Sequence, residues 1–224
     1  MFIQADGVRR SIPISSGYLR MKRILDVLLT LALALPLCIV MLLIALAIRL
    51  DSDGPIFFRQ KRIGLDGAEF ELLKFRSMHD NCDNALHREA IECYMADQAL
   101  NDGADDLQYK QADDPRITRV GKFIRKTSLD ELPQFLNVLR GEMTLVGPRP
   151  PVEYEVEHYS PRDMLRLCGK PGLTGIWQVY GRSQVPFHEM VEMDIYYLQQ
   201  QSTWLDLKLI VLTIPVMLSG RGGV

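Results

Sequence analysis

Lys126-Thr127-Ser128-Leu129-Asp130-Glu131-Leu132-Pro133-Gln134 sets two adjacent carboxylates between a basic run and an apolar one. Leu129, Leu132, Phe135, Leu136 and Leu139 recur at helical spacing, so the stretch predicts a helix that begins near the acidic pair and buries that stripe. Pro133 fits only a first turn, where its missing N–H has no partner to lose, which sets the helix start within a few residues before it. Asp130 and Glu131 then stand at a helix N-terminus, where unpaired N–H groups and the dipole favour anions. Ser128-x-x-Glu131 also satisfies a capping box, a purely structural use of the same residues.

Outward from this stretch, Arg116, Arg119, Lys122, Arg125 and Lys126 precede it. A short strand-like Met143-Thr144-Leu145-Val146 and then Gly147-Pro148-Arg149-Pro150 follow. In combination, Lys126 to Gln134 and Val146-Gly147-Pro148-Arg149-Pro150 resemble the bacterial sugar transferase family, the monotopic polyprenyl-phosphate phosphoglycosyl transferases. The resemblance runs from about residue 21 to the C-terminus, and the chain looks like the minimal catalytic form.

What the resemblance implies is specific. Asp130 would be the nucleophile that attacks the β-phosphorus of a UDP-sugar, expelling UMP and holding the sugar phosphate until undecaprenyl phosphate takes it. Glu131, with Asp130, would bind Mg²⁺, an ion that prefers oxygen ligands. Lys74 in the family-like Lys74-Phe75-Arg76, together with Arg125 and Arg149, would hold phosphate groups. Lys170-Pro171-Gly172-Leu173-Thr174-Gly175, followed by Gln178 and Gly181-Arg182, is similar to a family stretch and adds Thr174, Gln178 and Arg182 as substrate contacts. The form of 177–183 resembles members that serve exopolysaccharide assembly, which implies a hexose 1-phosphate. The expected setting is the cytoplasmic face of the bacterial inner membrane. Its phospholipid is then a partner, a homo-oligomer is compatible, and nucleic acid is not expected. Two other functions fit the residues: a glycosyltransferase that releases UDP, and a non-enzymatic membrane-anchored module that binds anionic lipid.

With 224 residues, 47% of them apolar, the chain can bury the core of one catalytic domain and carry an attachment. Its net charge of −2 conceals segregation, acidic residues gathering at 97–114 and basic ones at 59–76 and 116–126. Such runs suit one bound anion or, individually, a solvated face. Cys38, Cys82, Cys93 and Cys168 form no C-x-x-C pair, and His79, His87, His158 and His188 lack ligand spacing, so neither zinc nor a disulfide framework is indicated.

Residues 1–20 lack periodicity and are expected to be a flexible leader. Roughly 22 apolar residues at 27–48 would make a helix about 33 Å long, enough to cross a bilayer. Pro36 near the middle removes a backbone bond, and basic residues flank both ends, so a re-entrant helix and a spanning one are equally compatible with the residues. The resemblance selects the re-entrant form over 21–50, with 51–224 as the membrane-associated transferase domain. Strands over 55–64 and 68–78, joined at Gly64-Leu65-Asp66-Gly67, form a hairpin that the Asp-Gly pair supports. Arg59, Lys61 and Arg62 on the first strand fit water or lipid headgroups.

The polar segment 79–114 predicts one helix, 84–96, and a loop at 101–106. Further helices are expected at 161–167, 187–200 and 204–218, with a glycine-punctuated loop at 170–183. The last helix is too short to span; Tyr196, Tyr197 and Trp204 suit a membrane interface, and a buried core helix suits it equally. The expected class is α+β: a mainly helical cytosolic domain with a small β-hairpin, an N-terminal re-entrant membrane helix and interfacial amphipathic helices.

Overall fold

The computed structural model describes residues 12, 15–79, 85–95, 114–181 and 185–218. It begins with two apolar helices, α1 (Ser16–Ala32) and α2 (Ala34–Asp51), separated at Leu33. Pro36 explains the position of the break. Its ring clashes with the carbonyl four residues earlier, Ala32, and its nitrogen cannot donate, so α1 ends there and Pro36 falls in the first turn of a new helix.

The faces of α1 are reversed from those of a soluble helix. Lys22, Asp26 and Thr30, spaced four apart, are buried, while Leu19, Met21, Ile24, Leu28 and Leu31 are exposed. The domain satisfies the two charged residues of this stripe: Lys22 Nζ donates to Asp206 Oδ2 at 2.8 Å and to Tyr197 at 3.0 Å. Asp26 accepts from Thr144 Oγ1 at 2.6 Å and from the Leu145 N–H at 3.0 Å. Leu35, Ile39, Leu42, Leu43, Leu46 and Leu50 of α2 are exposed, and Ile44 and Ile48 are buried. Its 18 residues have a mean hydropathy of 2.3, enough by length and composition alone to cross a bilayer.

The expected leader ends earlier than residue 20. Helix α1 starts at Ser16, where the Tyr18 hydroxyl donates to Asp206 at 2.8 Å, and Ile12 is buried in the core. One turn of helix is too short to leave a periodic signal in the sequence.

The hairpin forms as the Asp-Gly pair predicts. Strands β1 (Phe57–Ile63) and β2 (Glu69–Phe75) pair antiparallel from Phe57↔Phe75 to Ile63↔Glu69, and Asp66 and Gly67 both take left-handed conformations. After it come α3 (Ala85–Met95), α4 (Arg119–Lys126), a 3₁₀ turn (Leu129–Glu131) and α5 (Gln134–Arg140). Then follow β3 (Thr144–Val146), α6 (Glu153–Val156), a second 3₁₀ segment (Asp163–Cys168), β4 (Gly172–Thr174) and a π turn (Trp177–Gly181). Helices α7 (Phe187–Gln200) and α8 (Thr203–Leu218) close the described chain.

The architecture is therefore mostly helical with a small antiparallel sheet, as expected. Two local expectations are corrected. The helix at 161–167 is a 3₁₀ segment, and part of the 170–183 loop is β4, which pairs parallel with β3 through Thr144↔Gly172 and Val146↔Thr174. A strand of three residues, Gly172 and Thr174 buried and Leu173 partly so, is too short to show a period, so it is invisible in the sequence. The helix expected at 84–96 is present as α3, and the loop at 101–106 lies outside the described residues.

Helix α8 buries Asp206 and Leu209 on the domain and exposes Trp204, Leu207, Val211 and Ile214. The main core gathers Leu72, Val138, Met143, Val146, Tyr197 and Leu209 beneath the hairpin and between α1, α5, α7 and α8.

Candidate active site

The acidic pair stands in a tight turn. Helix α4, capped by Thr118 through the Gly121 N–H at 2.9 Å, stops at Lys126; Ser128 then takes a left-handed conformation (φ 56°, ψ 19°) and Leu129–Glu131 form a single 3₁₀ turn. Pro133 has no N–H to place in a helical ladder, so α5 starts only behind it. Asp130 and Glu131 thus precede the helix and do not occupy its first turn.

The expected apolar stripe is also modified. Leu132 is buried but Leu136 is exposed, and Asn137, fully buried, takes the inward place. The Asn137 amide donates to Glu71 O and Glu142 Oε2, both at 2.7 Å, and its Oδ1 accepts from the Leu73 N–H at 3.1 Å. Asn137 therefore pins β2 at Glu71 and Leu73, on either side of Leu72 and just before Lys74. A polar residue inside an otherwise apolar helical segment is its trace in the sequence.

The capping box does not form. Ser128 makes no capping hydrogen bond, and the Glu131 carboxylate accepts from Lys74 Nζ at 2.8 Å instead. A non-glycine residue held left-handed stores about 1 kcal/mol or more of backbone strain. Ser128→Gly is expected to keep or slightly raise stability. Ser128→Val should lower it by about 1–3 kcal/mol, read from urea unfolding in detergent. Equal stabilities for the two variants would mean that the turn is not strained.

Glu131 and Lys74 line a cavity of about 430 Å³. Its polar wall carries Arg62, Lys74, Glu131, Arg149, Thr174 and Gln178; its apolar wall is built from Leu29, Leu33 and Leu37 around the helix break and Ile210, Ile214 and Met217 of α8. Of the residues singled out in the sequence, Lys74, Glu131, Arg149, Thr174 and Gln178 meet here. Asp130 adjoins Glu131 in the turn and Arg125 sits in the last turn of α4, neither among the lining residues. Arg182 lies outside the described residues.

Arg62 corrects an expectation. It is buried, 5% exposed, and lines the cavity, where water or headgroups were its expected surroundings. Its Nη1 donates to Pro150 O at 2.9 Å, and Nε and Nη2 donate to Gln60 at 3.1 and 2.6 Å. Strand alternation held the signal, since Arg59 and Lys61 point one way and Gln60 and Arg62 the other. Arg76, so close to Lys74 in sequence, faces away and donates to Ser52 O at 2.7 Å at the end of α2.

Two glycines make the cavity possible. A Cβ on Gly172 would lie 2.0 Å from Gly147 N, and one on Gly147 would lie 2.4 Å from Lys170 O. Only bare backbones can approach this closely, and the approach brings Arg149 and Thr174 to the same wall.

Behind Arg149 is a buried ion cluster. Arg149 Nη1 lies 3.4 Å from Glu155 Oε2, and its guanidinium sits 5.9 Å over the Trp177 ring. Glu155 Oε1 accepts from Tyr159 at 2.7 Å and from Arg166 Nη1 at 3.2 Å. Arg166 also donates to Asp194 Oδ2 at 3.0 and 2.7 Å and to the Arg149 carbonyl at 3.3 Å. Burial acts to raise the Glu155 carboxyl, but Arg149 and Arg166 hold it below the usual range. Burial dominates at Asp194 and pushes its carboxyl up despite Arg166.

Among the described residues no three His, Cys, Asp or Glu side chains cluster as a preformed metal cage. Mg²⁺ does not require one: it takes one or two carboxylates and completes its shell with water and substrate phosphates. Adjacent carboxylates beside a cation-lined cavity fit that pattern.

The family model described as bacterial sugar transferase matches residues 17–220. The galactosyl transferase CpsE of Streptococcus agalactiae is 44% identical over 207 residues, covering 92% of this chain and 44% of its own length. The exopolysaccharide production protein ExoY of Sinorhizobium fredii is 41% identical over 201 residues, 90% of this chain and 87% of its own. The UDP-glucose:undecaprenyl-phosphate glucose-1-phosphate transferase of Caulobacter vibrioides is 41% identical over 206 residues, 88% and 70% respectively. The chain thus spans less than half of CpsE and most of ExoY.

Proposed function

Because this chain belongs to the bacterial sugar transferase family, we propose that it transfers a sugar 1-phosphate from a UDP-sugar to undecaprenyl phosphate in exopolysaccharide assembly. The observation that carries this reading is the two-faced cavity. One wall offers cations and a carboxylate to phosphates, and the other offers an apolar path between the α1–α2 break and α8 to a prenyl chain. A soluble sugar nucleotide needs only the first wall. A lipid phosphate needs both.

In the proposed first step a carboxylate oxygen of Asp130 forms a bond to the β-phosphorus, the bond from that phosphorus to the bridging oxygen breaks, and UMP leaves with the electron pair. In the second a phosphate oxygen of the lipid attacks the same phosphorus, the aspartyl ester breaks, and Asp130 is regenerated. Lys74, Arg62 and Arg149 bind and orient phosphate oxygens, and Glu131 keeps Lys74 in place at 2.8 Å until substrate arrives. Asp130 and Glu131 are the residues that would hold Mg²⁺, which supplies charge neutralisation for the departing nucleotide.

The reversed faces of α1 and the exposed leucines of α2 support a shallow membrane anchor. An aqueous surface of that composition would be costly, whereas a bilayer covers it. The helix break at Leu33, beside the cavity, supports a re-entrant path whose ends both return to the cytoplasmic face.

The test is nucleotide release by purified protein with Mg²⁺, undecaprenyl phosphate and a panel of UDP-sugars. UMP from one donor is expected, in amounts that turn over only when the lipid is present. UDP as the product would establish simple glycosyl transfer instead, and no nucleotide from any donor would leave an anionic-lipid-binding module.

A further inference from the structure

We propose that Glu155, held by the buried Arg166–Asp194 pair, is the positioning residue for Arg149 and presets its guanidinium for the diphosphate of a nucleoside diphosphate sugar; this rests on the function proposed above. Arg149 is the cavity residue whose main chain and side chain are both tied to one buried network. Arg166 Nη2 holds the Arg149 carbonyl at 3.3 Å, and Glu155 Oε2 holds the Arg149 guanidinium at 3.4 Å. The network reaches from α6 through the 3₁₀ segment to Asp194 on α7, and Arg166 and Asp194 do not line the large cavity.

The distances show why the arrangement orients the arginine without sequestering it. Glu155 Oε1 is engaged by Tyr159 at 2.7 Å and Arg166 at 3.2 Å, so the carboxylate stays satisfied when Arg149 turns part of its charge to a phosphate. The long contact to Arg149 is the one that can yield. Trp177 supports the guanidinium over its ring and limits its swing. Two arginines and two carboxylates balance within the cluster, so orientation, and not added positive potential, is what Glu155 contributes.

That distinction gives the test its sign. Glu155→Gln keeps the shape and removes one negative charge near Arg149. If Glu155 only diluted the positive potential, the variant would bind anions more tightly; if it positions Arg149, binding weakens.

Calorimetric titration of the full chain in detergent with UDP and Mg²⁺ is expected to show a Kd about tenfold weaker for Glu155→Gln. In an Arg149→Ala background the same substitution should change Kd by less than about twofold. Tyr159→Phe, which removes the 2.7 Å bond to Glu155 and leaves its carboxylate, provides a second variant should the first fail to fold; about threefold weaker binding is expected. Unchanged or tighter binding in a folded variant overturns the proposal, as does a full effect that persists without Arg149. Wild-type protein that binds no UDP would refute the proposed function itself, an outcome separate from any difference between variants.

Discussion

Asp130→Asn is expected to release no UMP above background from the UDP-sugar that the wild-type protein turns over, a loss on the order of 10⁴-fold or more. The substitution preserves shape and replaces a charged carboxylate oxygen by a neutral amide, which has no electron pair available at comparable energy for attack on phosphorus. Asp130 is partly exposed in its turn, outside the buried clusters, so the unfolding transition should stay close to wild type. A second readout separates nucleophile from ligand. With sugar-labelled donor and no lipid, wild-type protein should retain acid-stable or chemically trapped label on the chain, and Asp130→Asn should retain none. Wild-type-like turnover in Asp130→Asn would remove Asp130 from the nucleophile role and return the turn to a structural one. Glu131→Gln is a useful contrast: it leaves the attacking group and cuts the 2.8 Å ion pair to Lys74, so it should lower turnover without abolishing covalent labelling.

Local chemistry was legible in the sequence where a residue's own constraint fixes the backbone. Asp66-Gly67 favoured two left-handed residues and thereby the hairpin, and Pro36, ambiguous by itself, marked with the family resemblance the helix break that falls within a turn of it. Helix α7 has the bounds that its pattern predicts. What stayed hidden depends on partners far along the chain. Nothing around Gly172 shows that its parallel partner is Thr144 or that the Gly147 backbone presses against it, and nothing in the apolar stripe shows that Asn137 serves β2. For Arg62 the charge points to the surface, whereas strand alternation sets it on the Gln60 face, away from Arg59 and Lys61. The Ser128-x-x-Glu131 pattern, ambiguous in the sequence, is resolved by geometry: the glutamate reaches across to Lys74, 57 positions earlier, and not back to its own turn.

Replacing Arg166 should have the largest effect on stability. Its side chain is fully buried and serves Asp194 at 2.7 Å and Glu155 at 3.2 Å, themselves 1% and 2% exposed. Arg166→Met fills similar volume but strands two carboxylates in a low-dielectric interior, a change that typically costs about 3–5 kcal/mol. Acid should partly rescue the variant. Without the guanidinium both carboxyls would rise above their unfolded values, so protonation favours the folded chain and the deficit shrinks as pH falls from 8 towards 5. In the wild-type protein Glu155 runs the other way, because its folded value lies below the ordinary one: its contribution is present above the unfolded value and lost as pH falls through the folded one. Asp194, pushed up by burial, opposes it. The expected pattern in urea unfolding is therefore a gap between wild type and variant that narrows on acidification. Arg166→Lys should fall between the two, since one ammonium cannot reproduce the fork that spans Asp194, Glu155 and the Arg149 carbonyl. A gap that is small, or that does not depend on pH, would mean that the cluster contributes little to folding, and its hold on Arg149 would then have to be weaker than its distances imply.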